Sequence, residues 1–291
     1  MARDAEFCAP VETVNFHLWQ PCNMRCGFCF ATFLDVRRSV LPAGHLPRPD
    51  AERVVTLLAR SGFRKITFAG GEPLLCPWLT DLVRLAKRHG VTTAIVTNGS
   101  LLDGRTLQRL CPDLDWMTIS IDSLEPETLT ATGRLTRGRA ADAAHYRELC
   151  ESVSAAGVRL KINTVVSSVN WTEDLTGFVT AVRPERWKIF QVLPVQGQNT
   201  GSVEGLQVSP EQFERFVARS TAVERHGVHV VTEDNQAMVG SYAMVDPAGR
   251  FFDATGGGYR YSEPILRVGV ERALAQVHIS RDKFLARGGK Y

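Results

Sequence analysis

The stretch "NFHLWQPCNMRCGFCF" (15–30) decides how the rest of the chain is read. Its first half belongs to a strand predicted over 14–19. Its second half carries Cys22, Cys26 and Cys29, separated by three residues and then by two. Thiolates are soft ligands that suit zinc and iron–sulfur centres. A closed tetrahedral site needs four ligands, so this loop is one short. A structural zinc knuckle would have to borrow the fourth. His17 is the nearest candidate, but it lies within the strand pattern.

The bulk composition is that of an ordinary soluble globular chain: 291 residues, 44% hydrophobic and 22% charged. A net charge of +3, with no long basic stripe, argues against a nucleic-acid polymer as partner. No run of eighteen apolar residues exists, and "MARDAEFCAP" (1–10) has no signal-peptide core. The expectation is a cytoplasmic protein, monomeric and not attached to membranes. The seven cysteines make a poor disulfide framework, and none follows Cys150. In a reducing compartment the clustered three read as metal or redox ligands.

Outward from the cysteine loop, short β-rich runs alternate with helical patterns. Strands are predicted at 14–19, 65–70, 92–97, 116–121, 159–166 and 186–193. Helices are predicted at 48–62, 77–90, 101–110, 140–156, 172–182 and 209–221, the first with Asp50 as N-cap and Gly62 as stop. Such alternation implies a parallel α/β sheet. An open doubly wound sheet and a partial or complete barrel both remain open, and both put function at the carboxyl ends of strands. No G-x-G-x-x-G follows the first strand, so the dinucleotide fingerprint is missing. Residues 1–206 are expected to form the main βα body with its lead-in. Residues 207–291 are expected to form an α+β extension that closes the site.

A second motif, "FAGGEP" (68–73), ends the second strand. Gly70 and Gly71 are expected to let the backbone approach a ligand closely, with Glu72 and Pro73 following. The next strands end in "VTNGS" (96–100) and "ISIDS" (119–123), which put Asn98, Ser120 and Asp122 at the mouth of the sheet. The C-x3-C-x2-C spacing, with Phe28 before the last cysteine, resembles the signature of radical S-adenosylmethionine enzymes. The resemblance implies a partial (βα)6 barrel and a [4Fe-4S] cluster. Its fourth iron is left open for S-adenosylmethionine. The "GGEP" string resembles the segment that binds the methionine amino group.

The likeness narrows further along the chain. The strings "KITFAGGEPLL", "KINTVV", "RWKIFQVLPVQGQN", "EDNQAMVGSYAMVD", "ILRVGVERAL" and "FLARGGKY" resemble the viperin family, over residue 13 to the end. That resemblance implies a ribonucleoside triphosphate substrate, with CTP first and UTP or GTP as alternatives. It implies conversion to the 3′-deoxy-3′,4′-didehydro analogue, with an antiviral role. It implies a one-electron donor such as a flavodoxin or ferredoxin. Residue by residue, it assigns Arg134 to the S-adenosylmethionine carboxylate and Tyr242 to hydrogen-atom or electron delivery. Asn15 and Lys65 go to the ribose and base. Lys161, Asn163, Arg186 and Lys188, with Arg287, Gly288, Gly289 and Lys290, go to the triphosphate. Physical chemistry agrees on the last group. The pairs 161/163 and 186/188 each share a strand face, and polyphosphate calls for several cations. The glycine-containing basic segment is expected to fold its amides around phosphate and to order when nucleotide binds.

Departures from the family are visible. Animal members have an amphipathic N-terminal helix and an acidic aromatic tail; with barely a dozen residues before the first strand and Tyr291 last, neither is expected here, and no lipid association is expected. Position 69 is alanine where they have serine, leaving the choice of base open. Two rivals frame the reading. One is a peptide-modifying radical enzyme, but a second cluster downstream would need cysteines beyond Cys150. The other is a non-catalytic zinc-binding interaction protein.

Overall fold

The computed structural model describes Ala9 and residues 11–289. Ten strands are formed: β1 (Thr13–Trp19), β2 (Lys65–Gly70), β3 (Thr92–Thr97), β4 (Trp116–Ser120), β5 (Arg159–Val166), β6 (Arg186–Gln191), β7 (His229–Glu233), β8 (Ala243–Val245), β9 (Arg250–Asp253) and β10 (Arg260–Pro264). They make one sheet in the order β10-β9-β8-β1-β2-β3-β4-β5-β6-β7. From β8 through β7 every pairing is parallel, and only the β8–β9 and β9–β10 pairings are antiparallel. The six predicted strands are the middle of this sheet, and the fold is the expected partial barrel. The chain after 206 extends the same sheet at both edges, with β7 on one side and β8 to β10 on the other.

The crossovers follow from amphipathic spacing. Helix Arg48–Arg60 buries Ala51, Val54, Val55 and Leu58, and helix Leu79–Arg88 buries Leu79, Leu82, Val83 and Ala86. Helix Pro210–Ser220 opens with a capping box of Ser209 and Gln212. Asp50 is not the N-cap predicted for the first crossover helix. Pro47 takes that position, and Pro49 sits in the first turn, where a missing N–H does no harm. Asp50 instead meets Arg53 at 3.4 Å on the helix surface. Short helices at Leu34–Ser39 and Pro126–Ala131 were not expected from the pattern.

The two faces of the strands differ in kind. On β1, Val14, Phe16 and Leu18 are buried in the apolar layer beneath the helices. Thr13, Asn15 and His17 point the other way and line an interior cavity. The same alternation puts Lys65, Thr67 and Ala69 of β2, and Lys161, Asn163 and Val165 of β5, on the cavity wall. A barrel filled by its own side chains would be lined by bulky aliphatic residues. This one has a mainly apolar surface studded with charged and polar side chains, which calls for a ligand with both apolar and charged parts.

Candidate active site

The cysteine loop leaves β1 and is held by backbone on two sides. Gly71 N–H donates to Trp19 C=O at 2.5 Å, and Glu72 N–H donates to Pro21 C=O at 3.0 Å. A Cβ on Gly71 would lie 2.3 Å from the Gln20 oxygen and 2.4 Å from the Pro21 oxygen. The paired glycines are therefore required by close approach to residues 19–21 of the loop. From the other side, Gly27 N–H donates to Thr132 C=O at 2.9 Å and Arg25 N–H to Gly133 C=O at 3.3 Å. Gly133 has φ +73°, and a Cβ there would meet Arg25 O at 2.3 Å. A side-chain ring completes the clasp: Asn98 Nδ2 donates to Asn23 Oδ1 (2.9 Å), and Asn23 Nδ2 to Ser100 Oγ (2.8 Å).

Glu72 is fully buried, and its carboxylate accepts from Thr97 Oγ1 (2.7 Å), Asn98 N (2.9 Å) and Leu74 N (3.0 Å). It ties the end of β2 to the end of β3. Gly70, Gly71, Glu72, Pro73 and Asn98 thus build the mouth of the barrel, behind the cavity wall. Phe28, Ser120, Asp122 and Arg134 are on the wall itself.

Arg134 is the cation of the carboxyl end. Its Nη1 lies 2.8 Å from Asp122 Oδ2 and 3.9 Å from Cys26 Sγ, and its Nη2 donates to Ser120 C=O at 2.7 Å. Burial opposes its charge, but Asp122, Cys26 and Tyr146 together more than offset that and hold its pKa above the usual value. Arg137 and Arg139 are exposed, so Arg134 alone of the three reaches the cavity.

Burial pushes all three loop thiols up in pKa, Cys29 to about 12. Metal binding here must displace protons. The three thiols lie close enough to repel one another's ionisation. Cys76 and Cys150 are buried in the apolar core instead. His17 does not act as a fourth ligand. Its ring sits among Phe30, Phe33 and Phe252, with centroids 6.1, 5.3 and 5.7 Å away. Three soft donors with one position left over fit a [4Fe-4S] cluster, and they do not close a zinc site.

At the other end of the cavity, cations gather from the amino-terminal halves of strands. Register places Lys161 beside Arg186, and Asn163 beside Lys188. Lys188 is buried and forms an ion pair with Glu233, the last residue of β7. It also donates to Tyr242 Oη at 2.9 Å. Tyr242 Oη donates in turn to Glu233 Oε2 at 2.5 Å. Arg287 lies over the Tyr242 ring, 3.6 Å from its centroid, and 3.7 Å from Glu233 Oε1, and it donates to Ser241 C=O. Glu233 therefore joins the β7 edge to the chain just before β8, across the open side of the barrel. Burial would raise its pKa, but Lys188 and Arg287 bring it below the usual carboxylate value. Sequence reading passed over Glu233, because a single acidic residue in "EDNQ" carries no spacing signal.

Burial and the crowding of other cations bear on two further lysines. Burial, then Lys161, Arg186 and Lys188, lower Lys65 to about 6. Burial, then Arg186, lower Lys161 to about 8, opposed by Glu233. Arg186 is half-buried and off the cavity wall, its Nη1 at 3.4 Å from Gly288 C=O. The amides expected to fold around phosphate are engaged elsewhere. Gly288 N–H donates to Leu285 C=O and Gly289 N–H to Phe284 C=O, both at 3.0 Å, ending helix Arg281–Ala286. Arg287 is already buried against Tyr242. Lys290 lies outside the described residues. Asn15 and Lys65 line the cavity as expected.

A three-cysteine loop at the mouth of a partial barrel, with Arg134 and Asp122 on the cavity wall beside it, defines a radical S-adenosylmethionine enzyme. The Radical SAM superfamily model matches residues 19–174. Among solved structures, native anSMEcpe with bound AdoMet and Kp18Cys peptide aligns over 91% of this chain and 80% of its own, with TM-score 0.68 and 15% identity. Streptococcus suis SuiB bound to S-adenosylmethionine aligns over 84% and 60%, with TM-score 0.64 and 16% identity. At those identities the likeness is one of fold. Sequence relatives are nearer. An S-adenosylmethionine-dependent nucleotide dehydratase of Flammeovirga pacifica is 47% identical over 97% of this chain and 96% of its own length. One of Lacinutrix mariniflava is 49% identical over 97% of this chain, which spans 58% of that longer protein. RSAD2 of Danio rerio, with the same description, is 36% identical over 99% and 79%. The chain belongs to the S-adenosylmethionine-dependent nucleotide dehydratases.

Proposed function

We propose that the chain dehydrates a ribonucleoside triphosphate to its 3′-deoxy-3′,4′-didehydro analogue, with CTP first among the bases and UTP or GTP behind it. The observation that carries this is the gathering of Lys65, Lys161, Lys188 and Arg287 on one cavity wall, with Arg186 close by and Glu233 paired to Lys188 and Arg287. Such an excess of buried positive charge is costly unless an anion meets it. The triphosphate is that anion, and Arg186 and Arg287 offer it guanidinium forks.

A [4Fe-4S] cluster held by Cys22, Cys26 and Cys29, with S-adenosylmethionine on its open iron, would supply a 5′-deoxyadenosyl radical. Arg134 has the position and charge to hold the methionine carboxylate, exchanging part of its pairing with Asp122. The substrate loses its C4′ hydrogen as an atom. The 3′-hydroxyl then leaves as water, with one proton and one electron taken up. Tyr242 is placed to give that electron. Its phenol proton already points at Glu233, which can accept it as the electron leaves. An external one-electron donor, such as a flavodoxin or ferredoxin, restores the tyrosine. The product lacks a 3′-hydroxyl and cannot be extended in RNA, which suits antiviral defence.

The test is anaerobic reconstitution followed by S-adenosylmethionine, a reductant and each nucleoside triphosphate in turn. Formation of 5′-deoxyadenosine should rise with one triphosphate in particular. If no triphosphate stimulates it, the nucleotide assignment fails even when the cluster is intact.

A further inference from the structure

One interior side chain takes part in neither the clasp of the cysteine loop nor the Glu233 cluster. His17 is 4% exposed, lines the cavity, and has both Nδ1 and Nε2 buried without a hydrogen-bond partner. A buried polar group without a partner is costly, and such groups are rare. Burial holds the imidazole at a pKa of about 4, so the ring is neutral, with one N–H donor and one bare nitrogen acceptor. Phe33 and Phe252 pack around it and fix its orientation.

Register gives its height in the barrel. Thr13 pairs with Lys65 at the cationic end, and His17 pairs with Ala69 at the cysteine end. Four residues of strand separate those levels by about 13 Å. That is the scale on which a nucleotide separates its outer phosphates from its base. The wall at this height is apolar and aromatic, with Phe30 and Tyr259 beside His17 on the cavity. Such a wall suits a flat ring. The S-adenosylmethionine side, marked by Ser120, Asp122 and Arg134, belongs to the β4 region, three strands away from β1 in the sheet.

We propose that His17 is a specificity-determining residue that hydrogen-bonds the edge of the substrate's base. The proposal rests on the nucleotide reading above. An imidazole with one donor and one acceptor matches a base edge of mixed donors and acceptors, whereas it adds nothing to phosphate binding. A site built to hydrogen-bond one group rejects analogues lacking it far more strongly than an apolar site does.

The experiment measures kcat/KM for CTP, UTP, GTP and ATP with wild type, His17→Leu and His17→Gln. Cluster content and thermal midpoint are measured alongside. Removing both nitrogens in His17→Leu should compress the ratio between the best triphosphate and its competitors by about tenfold or more. Cluster content should stay unchanged. His17→Gln keeps a donor and an acceptor in altered positions. It should fold as wild type does and still change the ratios, so the test survives if the leucine variant loosens the aromatic cluster. Wild-type ratios in both variants would overturn the proposal while leaving the nucleotide reading intact. So would unchanged ratios with a raised KM for S-adenosylmethionine, which would put His17 at the adenosyl group. Failure of every triphosphate to stimulate the wild type would overturn both.

Discussion

The two ends of the cavity are built by opposite means. At the carboxyl end the cysteine loop is gripped by backbone, through amide–carbonyl bonds from residues 71–72 and 132–133 and the close approach of Gly71 and Gly133. At the amino end nothing comparable exists. Lys161, Lys188 and Arg287 come from separate elements and are organised by charge around Glu233, with Lys65 close to the same cations. A backbone grip tolerates no added atom. A charge cluster responds in degrees. The end that holds the cofactor is thus rigid by geometry, and the end that holds the substrate is adjustable by electrostatics.

The largest effect expected from breaking this contrast is at Gly71. Gly71→Ala forces a Cβ against two carbonyl oxygens of the loop, a strain of roughly 3 kcal/mol that rigid backbone cannot relieve. Reconstituted iron and sulfide should fall to a small fraction of wild type, with no 5′-deoxyadenosine formed. Normal cluster content would show that the loop is held by something else.

Next is Glu233→Gln at the other end. Removing the carboxylate charge leaves Lys188 and Arg287 buried without their counter-ion, at a cost on the order of 3 kcal/mol. The thermal midpoint should drop while the cluster still assembles. Added triphosphate should raise that midpoint more than it does in wild type, because the anion takes over the lost role. Equal ligand shifts in both proteins would separate Glu233 from the substrate site.

Arg186→Ala should act more narrowly. The side chain is half-buried, with Nη1 3.4 Å from Gly288 C=O. Loss of a fork to phosphate should raise the nucleotide KM by about tenfold or more, with cluster content and kcat little changed. A lost cluster would make the residue structural.

These contrasts also mark what could be read from the sequence. The cysteine end is written in contiguous strings, "CNMRCGFC" and "FAGGEP", so its place after the first two strands was legible. The six central strands were found within a residue or two, because alternation against a helix-covered face leaves a clear pattern; β7 to β10, short and after residue 206, were not. The amino end is spread over residues that meet only through register. Period two paired Lys161 with Asn163 and Arg186 with Lys188, but nothing local linked them to Glu233. The glycines show the same limit in reverse. Gly70 and Gly71 were expected to make room for a ligand, and Gly288 and Gly289 to wrap phosphate. The first pair makes room for the chain itself, and the second pair ends a helix. A glycine announces close approach or a turn without saying to what.

The last expected effect is on pH dependence. Lys65 and Lys161 are pulled down to about 6 and about 8 in the free protein. Phosphate favours their charged forms, so binding takes up protons above those values. Affinity for the triphosphate should therefore fall as pH rises from about 6 through 8, by up to about tenfold per pH unit for each proton taken up. Calorimetry in buffers of different ionisation enthalpy would measure the uptake directly. Flat affinity over that range would mean that neither lysine meets the phosphates.

The claim that joins the two ends is that a nucleotide held by the cations presents its C4′ hydrogen to the radical formed at the cysteine loop. The most direct measurement uses the stimulating triphosphate deuterated at C4′ and weighs the 5′-deoxyadenosine by mass spectrometry. One deuterium carried into 5′-deoxyadenosine is the expected result. Unlabelled 5′-deoxyadenosine, formed at the same triphosphate-stimulated rate, would contradict it.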